Sequence, residues 1–533
     1  MEHEQTLREI LREYSAWTST HGIAHIVLTE NPLLRAIWAV LTLGAFSAAI
    51  YQVVTLFIRY FSYSVIIQPN TEFTPLIFPI VTFCNMNPWK MSNIAGTPLQ
   101  RLVDSFERRH HLPAFNTHLL LDHTREWMWL MGETLIYRAH ASQFNKNKSD
   151  IAYRWEELFV SCIYNGKACA ASDFTEFYNV HHGRCFQFNT LGLLKSTRAG
   201  PSRGLRVVLR SDQAEYLPWM TSAGMAIGIT TFGRPVFMDA FGHFAPVGEA
   251  TAFALEYLRR TKLDAPFSNC TFMSDNLKQP IYYNSIYTAE SCIRSCLQDK
   301  IIADCGCYSP RFNIPFNTIA PSCFNVQNPN KAIACSKSFI HQASKSAWNV
   351  YDDCACPFAC DESTYIITAS NTKWPADSYV RFLQPPECST LSPASLVPGS
   401  PVDVRITRSN SRWSSMEECL KFYKENTLKL DIYFSTITMQ TQEEDQGYKI
   451  INFIADAGGA TGLWLGMSIV SVIEALLFLC VLIRFLIFRP KAVRIDPTYD
   501  YFATFKNLER FDNPALYRAD IQMALQSMAR ETR

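Results

Sequence analysis

The chain has 533 residues, with 49 lysines and arginines against 48 aspartates and glutamates, so its formal net charge is +1. This balance excludes the basic excess that is typical of nucleic-acid-binding proteins. Hydrophobic residues make up 48% and charged residues only 18%, below the roughly 25% usual in soluble domains, which indicates that part of the chain does not face water.

The first predicted element is a membrane span at residues 36–58, which contain no Asp, Glu, Lys, Arg or His. As an α-helix this run is roughly 35 Å long, enough to cross a bilayer core of roughly 30 Å. A buried core helix and a signal peptide are the alternatives. A signal peptide is disfavoured because 35 mixed polar residues precede the run and the run is too long. The sequence therefore predicts an N-terminal segment at residues 1–35 and a transmembrane helix at 36–60.

The middle of the chain, residues 61–450, combines strand-like and helix-like patterns and has no obvious repeat. Stretches rich in Val, Ile, Phe and Thr predict strands at residues 77–84, 204–209, 226–231 and 430–439. Helices are predicted at residues 98–109, 117–132 and 288–302. The last of these places Cys292 and Cys296 four residues apart, on one helix face.

The cysteines are concentrated in this middle segment. Sixteen of the 17 lie between residues 84 and 419. An even number of cysteines in one segment is typical of a disulfide framework in an exported domain. Zinc binding is the alternative, because Cys305-Gly-Cys307 and Cys354-Ala-Cys356 are close pairs, although zinc clusters usually use two-residue spacers. The sequence alone does not give the connectivity.

A second predicted span follows at residues 457–483, where Glu474 is the one charged residue. A buried core helix is again the alternative. Since glycines and apolar residues extend the run on its N-terminal side, we assign residues 451–484 to a second transmembrane helix and residues 485–533 to a polar C-terminal tail.

Basic residues after the second span predict the orientation of the chain. Lys and Arg near a span are retained in the cytoplasm, and here they are Arg484, Arg489, Lys491 and Arg494. With two spans, both termini are expected in the cytoplasm and residues 61–450 outside. Asn147-Lys-Ser and Asn269-Cys-Thr are then candidate glycan acceptors, with Asn269 the weaker candidate because a cysteine follows it.

Five motifs in chain order carry a resemblance to a known family. They are Ser19-Thr-His-Gly-Ile-Ala-His25 with Arg35-Ala-Ile-Trp38, Phe78-Pro-Ile-Val-Thr-Phe-Cys-Asn85, Gly183-Arg-Cys-Phe-Gln-Phe-Asn189, residues 199–218, and Pro235-Val-Phe-Met-Asp-Ala-Phe-Gly242. Together they resemble the degenerin/epithelial sodium channel family, which includes the acid-sensing channels, and they are most similar to invertebrate degenerins. The similarity runs from about residue 15 to residue 484.

The resemblance implies an α+β membrane protein with two transmembrane helices per subunit. Between them the family has a large disulfide-rich extracellular domain, with a β-sheet palm and β-ball and a helical finger, thumb and knuckle. Subunits are expected to form trimers. The implied disulfides are 84–185, 162–169, 270–360, 292–356, 296–354, 305–335 and 307–323, which involve Cys84, Cys185, Cys162, Cys169, Cys270, Cys360, Cys292, Cys356, Cys296, Cys354, Cys305, Cys335, Cys307 and Cys323. Cys388 and Cys419 are left over as a candidate eighth pair.

The same resemblance assigns pore residues to the second span. Glycines let the backbone approach a cation, and Gly462 and Gly466-Met467-Ser468 correspond to the family's filter. That filter is Gly-(Ala/Ser)-Ser, so Met467 leaves open a narrower pore, relaxed selectivity, or a subunit that works only in heteromers. Glu474 matches a family carboxylate, and three copies would form an acidic ring that attracts cations. A Glu near the cytoplasmic interface, satisfied by water or a neighbouring helix, is the alternative.

Further positions concern the lower pore and the gate. By resemblance His21 and Gly22 line the lower pore, Asn452 occupies the position where bulky residues hold such channels open, and Asp456 lies at the outer mouth. Tyr63 and Phe267 are assigned to a gating contact between the first span and the thumb.

Proton sensing is less clearly indicated. Ser62-Tyr63-Ser64-Val65 replaces the histidine run of acid-sensing members, so that switch is missing at this site. Glu443-Glu444-Asp445 is a crowded acidic group that is more typical of a solvated face. For His181-His182 an exposed loop is the expectation, with a proton or metal site as the alternative.

The resemblance therefore implies a stimulus- or ligand-gated, amiloride-sensitive sodium (cation) channel subunit of the plasma membrane, with no cofactor and no enzymatic activity. Expected partners are sodium ions, membrane lipid, and related subunits in a homo- or heterotrimer, and no nucleic acid is expected. The alternatives are an ATP-gated two-span trimer, a non-conducting receptor or adhesion protein, and a regulatory subunit that conducts only with partners. An enzyme is disfavoured because no nucleophile–base arrangement, phosphate loop or metal-ligand spacing stands out.

Overall fold

The computed structural model describes residues 7–110, 128, 131–132, 135, 151–179, 181–272, 280–315, 318–340, 353–383, 388 and 415–488. Candidate glycan site Asn147, most of the helix predicted at 117–132, and the tail beyond residue 488 lie outside these residues. The chain divides into two units. The membrane unit comprises Met1–Ser64 and Gly447–Arg533, and the cysteine-rich unit comprises Val65–Gln446.

The helices, numbered here in chain order, are α1 Leu7–Trp17, α2 Ile23–Leu28, α3 Pro32–Tyr60, α4 Pro98–His110, α5 Trp155–Leu158, α6 Met238–Phe241, α7 Ala289–Cys305, α8 Pro329–Ile340, α9 Asp377–Leu383, α10 Met416–Asn426, α11 Ile450–Leu465 and α12 Ile469–Phe488. The strands are β1 Val65–Phe73, β2 Leu76–Ile77, β3 Ile80–Asn85, β4 Phe159–Tyr164, β5 Lys167–Ala168, β6 Phe174–Asn179, β7 Gly183–Phe188, β8 Lys195–Ser196, β9 Leu205–Arg210, β10 Gly224–Thr230, β11 His243–Pro246, β12 Glu249–Thr261, β13 Cys270–Thr271, β14 Phe358–Ala359, β15 Asp361–Lys373 and β16 Thr427–Gln446. The mixed α and β content agrees with the expected fold class.

In the membrane unit, α3 and α12 are long and apolar enough to cross a bilayer. Asn31 begins α3 by accepting a hydrogen bond from the N–H of Leu33, and Pro32 follows at the first helical position, where a missing N–H costs nothing. Only 11% of the apolar window in α3 and 6% of that in α12 is buried within the chain. A core helix of a soluble protein would be mostly buried, so these two helices are suited to lipid or to other subunits.

The second predicted span consists of two helices rather than one. Apolar α11 ends at Leu465 and α12 begins at Ile469, which leaves residues 466–468 outside regular helix. Gly458 and Gly459 lie inside α11. Aromatic contacts join α11 to α3, with ring centroids of Tyr60 and Phe453 5.8 Å apart.

Two sheets form the centre of the cysteine-rich unit. The larger has the order β15-β12-β16-β9-β4-β5, with β1 paired to β16, and the smaller has the order β11-β10-β3-β7-β6. Side chains from both sheets share one core, in which Phe83, Phe186, Phe253 and Phe434 are almost completely buried. Burying each such ring stabilises the fold by about 1.5–3 kcal/mol. The apolar strands predicted from the sequence therefore contribute to one core between the two sheets.

Disulfides hold the remaining segments. The structure contains the seven pairs implied by the resemblance and also joins Cys388 to Cys419. On α7, Cys292 bonds Cys356 and Cys296 bonds Cys354, so two rungs fasten one helix face. Each native disulfide typically contributes about 2–4 kcal/mol, which suits a helical region with little core of its own.

Candidate functional site

The first part of the site is the break between α11 and α12. Gly466 ends α11 with a left-handed backbone, φ 61°, and its N–H donates to the carbonyl of Gly462 at 3.0 Å. Glycine adopts this conformation without the penalty that a Cβ imposes. Ser468 and Ser471 then cap the start of α12. The N–H of Ser468 donates to the hydroxyl of Ser471 at 3.1 Å, and the N–H of Ser471 donates to the hydroxyl of Ser468 at 3.4 Å. This is the arrangement of a capping box, here built from two serines.

The N-terminal segment lies directly on this break. The N–H of His21 donates to the carbonyl of Leu465 at 2.9 Å. A Cβ added to Gly466 would overlap the imidazole of His21. Gly466 is therefore required twice, for its left-handed backbone and for the close approach of the ring. The structure brings together His21 and Gly466, which are 445 residues apart in the sequence.

Gly22 also packs closely, in this case against α3. Its φ is 92°, in the left-handed region, and it precedes α2. A Cβ at Gly22 would overlap the hydroxyl and methyl of Thr42, a buried residue of α3. His25 of α2 stacks on Trp38 of α3 with ring centroids 4.5 Å apart. The His-Gly motif thus packs between α3 and the helix break.

Glu474 receives the same N-terminal segment one turn further along α12. Its Oε2 accepts two hydrogen bonds from Ser19, from the N–H at 3.1 Å and from the hydroxyl at 2.9 Å. The Ser19 hydroxyl also lies 2.6 Å from that of Ser471, which is buried. Glu474 is therefore hydrogen-bonded to a neighbouring segment of its own chain, as expected for a carboxylate with a structural role. Its side chain remains partly accessible.

Backbone polar groups freed by a helix break cannot face lipid without a large cost. Non-helical backbone at membrane depth is tolerated where it is covered by protein or lines a water-filled cavity. In this unit the break is covered by His21 on one side, and Met467, which was predicted to lie in the filter, is half-buried. A carboxylate six residues beyond the end of such a break is suited to attract a cation that has shed part of its water.

A second group of contacts lies at the other end of α11. The hydroxyl of Tyr448 donates to Oδ2 of Asp456 at 2.7 Å. The guanidinium of Arg59, in the last turn of α3, lies 4.7 Å from the centre of the Tyr448 ring. The side chain of Asn452 is exposed. Tyr448 therefore joins the end of α3 to α11 and fixes the carboxylate of Asp456.

Comparison with known proteins decides the family. The model of the amiloride-sensitive sodium channel family matches residues 14–478 of the chain. The chain belongs to this family. Among curated relatives, "Degenerin-like protein asic-2" of Caenorhabditis elegans is 28% identical over 486 residues, which cover 87% of this chain and 85% of that protein. "Epithelial sodium channel subunit gamma-2" of Xenopus laevis is 24% identical, over 88% of this chain and 80% of the relative.

"Degenerin unc-8" of Caenorhabditis elegans is 28% identical over 365 residues, which cover 67% of this chain but only 43% of that longer protein. Membership in the amiloride-sensitive sodium channel family confirms the resemblance to degenerins and epithelial sodium channels. This family of ion channels is not enzymatic, which supports, at the level of the family, the expectation that the chain is not an enzyme.

Tyr63 and Phe267, assigned to a gating contact, belong to different units. In the membrane unit, Tyr63 has a φ of 47° and its ring meets Phe61 edge-on, with centroids 6.1 Å apart. In the cysteine-rich unit, the N–H of Phe267 donates to the carbonyl of Asp264 at 3.0 Å. The contact between the two remains a prediction.

The expectation of an exposed loop at His181-His182 is wrong. Both backbone N–H groups donate to Oδ1 of Asn179, both residues are half-buried, and Nε2 of His181 and Nδ1 of His182 are shielded from water. Burial lowers the pKa of His181 to about 3, and the nearby Arg311 acts in the same direction. Burial also lowers the pKa of His182 to about 4. Sequence reasoning failed here because two adjacent histidines between strands look like a polar turn.

These histidines adjoin a group of ion pairs around a buried arginine, Arg294. The guanidinium of Arg294 on α7 binds Asp239 at 3.0 Å and Glu290 at 2.7 Å, and it lies 4.3 Å from the centre of the Phe237 ring. Asp239 lies close enough to His181 to raise the pKa of that histidine, against the larger effect of burial.

The acidic residues Glu443 to Asp445 lie on β16. Oε2 of Glu444 accepts a hydrogen bond from the N–H of Leu263, and Asp445 accepts one from the side-chain amide of Gln68.

Three residues that sequence reasoning did not select contribute to the site, namely Ser471, Thr42 and Tyr448. For Ser471 a signal was available, because Ser468-x-x-Ser471 has the spacing of a capping box at the start of a helix. Thr42 lies in an uninterrupted apolar run and Tyr448 in a polar turn, so neither pattern pointed to a contact.

Proposed function

We propose that this chain is a subunit of a trimeric, amiloride-sensitive cation channel of the plasma membrane, with both termini in the cytoplasm. The second span lines the pore, with residues 466–468 as the filter and Glu474 as a ring of carboxylates. A single subunit with two spans cannot enclose a path, and the largely exposed apolar surfaces of α3 and α12 are available for neighbouring subunits and lipid.

One observation carries this proposal. The helix break at residues 466–468 is followed within one apolar helix by the carboxylate of Glu474, and both are contacted by the segment that carries His21 and Gly22. A carboxylate in a membrane span is costly and is retained for ion passage or proton transfer. The family to which the chain belongs, and the epithelial sodium channel subunit among its relatives, support the choice of sodium.

The test is whole-cell current from cells that express the chain alone and with a related subunit. Steps from pH 7.4 to 5 and 9 are applied, amiloride is added, and external sodium is replaced by potassium. We expect an amiloride-blocked inward current whose reversal potential reports how Met467 affects sodium selectivity. Asn452→Phe provides a version of the experiment that needs no known stimulus, since a bulky residue there is expected to hold the channel open.

Glu474→Gln is the decisive variant, and Glu30→Gln, in the loop before α3, is its charge-matched control. Neutralising Glu474 is expected to change conductance or selectivity, whereas neutralising Glu30 is not. No current from any of these proteins, with labelling at the cell surface intact and with partner subunits present, would favour a non-conducting receptor. Current only in the presence of a partner would identify a subunit that requires heteromers.

A further inference from the structure

The number of protons on each hydroxyl determines which group donates in each hydrogen bond around Glu474. The Ser19 hydroxyl carries one proton, and a carboxylate is the stronger acceptor, so this proton goes to Glu474 at 2.9 Å. Towards Ser471, at 2.6 Å, the Ser19 oxygen must then accept. Ser471 can donate there because its own oxygen accepts the N–H of Ser468 at 3.1 Å. The chain of donors therefore runs from Ser468 through Ser471 and Ser19 to Glu474.

This chain starts in the filter and ends at the carboxylate. Ser468 is the last residue of the helix break, and its N–H is one of the donors that a helix start leaves without an intrahelical partner. Ser471 is 2% exposed, so water does not compete for its hydroxyl. Both described hydrogen bonds to Glu474 end on Oε2, which leaves Oε1 without a protein donor in the part of the chain that the structure describes.

Contacts made by residues on both sides of Ser19 in the sequence fix its position along the second span. Two residues later, the N–H of His21 is bonded to the carbonyl of Leu465. Five residues earlier, the ring of Tyr14 stacks on Phe478 with centroids 3.9 Å apart. Because both flanking contacts are made to the second span, Ser19 meets Glu474 as part of an extended packing surface rather than through one mobile side chain.

We propose that Ser19, oriented by Ser471, is a positioning residue for Glu474. It holds Oε2 against the N-terminal segment and leaves Oε1 to meet the permeating cation, so that ion selectivity depends on the cytoplasmic N-terminal segment as well as on the second span. The inference rests on the proposed channel function, since only a conducting pore brings a cation to Glu474.

A cross-link tests the contact without any current. In a Cys480→Ser background, Ser19→Cys and Ser471→Cys are combined with a protease site inserted after Glu30 and an N-terminal tag. Residues 1–30 contain no cysteine, so after cleavage the tag stays with the rest of the protein only through Cys introduced at position 19. We expect retention under oxidising conditions and release by a reductant. Co-expression of the two single variants reports bonds between subunits.

Ser15→Cys with Ser471→Cys is the matched control. Ser15 donates to the carbonyl of Leu11 on its own helix, and its neighbour Tyr14 meets Phe478, seven residues beyond Ser471. That offset is about 10 Å along a helix, more than the roughly 7 Å that a disulfide tolerates between Cα atoms. The control should release its tag. Release from the Ser19–Ser471 pair as well, with normal surface expression, would contradict the contact.

Selectivity measurements test the positioning role. We expect Ser19→Ala to shift the sodium-to-potassium permeability ratio in the direction of Glu474→Gln, and to add nothing in the Glu474→Gln background. The shift in this ratio should be about twofold or more, because twofold corresponds to the smallest interaction energy typical of two residues in direct contact. Ser19→Thr, which keeps the hydroxyl, should restore wild-type selectivity, and Ser15→Ala should leave it unchanged.

The two proposals fail in different ways. If Glu474→Gln alters selectivity while Ser19→Ala does not, or if their effects simply add, the channel function stands and the role of Ser19 is wrong. If the wild-type protein reaches the surface and carries no current with partners present, the channel function fails and takes the role of Ser19 in permeation with it. In that case retention of the tag would report a structural contact only.

Discussion

The imidazole of His21 occupies the space in which any residue other than glycine at position 466 would place its Cβ. The contact joins a segment that precedes the first span to the break in the second. It therefore links the motif around His21 to the motif around Gly466. The residue type at position 466 depends on where the His21 side chain lies. Several of the properties of the membrane unit can be tested through this relationship.

Gly466→Ala is expected to abolish or strongly reduce current. The change adds backbone strain of about 1–2 kcal/mol at a left-handed residue, and it also displaces His21. Gly44→Ala is the matched control in α3, because a Cβ at Gly44 meets nothing within 4 Å. Current normalised to surface-labelled protein distinguishes the two. Equal currents in both variants would mean that the approach of His21 is not needed for conduction.

Gly22→Ala should move the His-Gly segment away from α3, because the new Cβ would overlap Thr42. The expected result is a reduced open probability. Thr42→Ala removes the overlapping hydroxyl and methyl, so the double variant should recover part of the current. Recovery is expected to be partial because the φ of 92° at position 22 remains unfavourable for alanine. Single-channel recording provides the measurement, and no recovery at all would assign the defect to backbone strain.

Tyr448→Phe removes the hydroxyl that binds Asp456 but keeps the ring beneath Arg59. Without this hydrogen bond the carboxylate of Asp456 is no longer held in place by the residue that also contacts α3. We expect altered gating that resembles Asp456→Asn, with little further change when the two are combined. Additive effects in this double-mutant cycle would show that Tyr448 and Asp456 act separately.

Acidification should destabilise the cysteine-rich unit through His181 and His182. Their folded-state pKa values are lowered to about 3 and about 4, while an unfolded histidine titrates near about 6.5. Below about pH 6.5 the unfolded chain therefore binds more protons than the folded one, so the stabilisation present at neutral pH is lost as the pH falls towards 4. We expect each histidine to contribute a loss of about 1 kcal/mol per pH unit in this window, so the pair together should cost about 2 kcal/mol per pH unit.

Thermal unfolding of the full-length protein in detergent at pH 7, 6 and 5 measures this dependence. A variant with His181→Gln and His182→Gln should lose less stability on acidification than the wild type. His243→Gln on β11 is the comparison variant, because burial lowers the pKa of that histidine less than it lowers the values of the pair, so its replacement should remove less of the pH dependence. The pair would not be responsible if wild type and the double variant showed the same pH dependence.

Much of the framework could be predicted from the sequence. The strand predicted at residues 204–209 is found as β9 at Leu205–Arg210, and the helix predicted at 288–302 is found as α7 at Ala289–Cys305. The limits of α7 follow local rules, since Thr288 and Ser291 form a capping box at its start and Gly306 ends it with a left-handed backbone. Other features could not be predicted from local sequence. The position of His181 and His182 depends on hydrogen bonds to Asn179 and on the elements packed around the pair.

The sequence by itself determined the features that depend on composition and short spacing. Two apolar runs are long enough to cross a bilayer, sixteen cysteines are confined to the segment between them, and the family motifs stand in order along the chain. Two contacts are visible only in the folded chain. Ser19 meets Glu474, 455 residues away, and His21 fills the space beside Gly466. Such contacts depend on how the N-terminal segment packs against a helix break, and neither propensity nor periodicity carries information about a partner so distant in the chain.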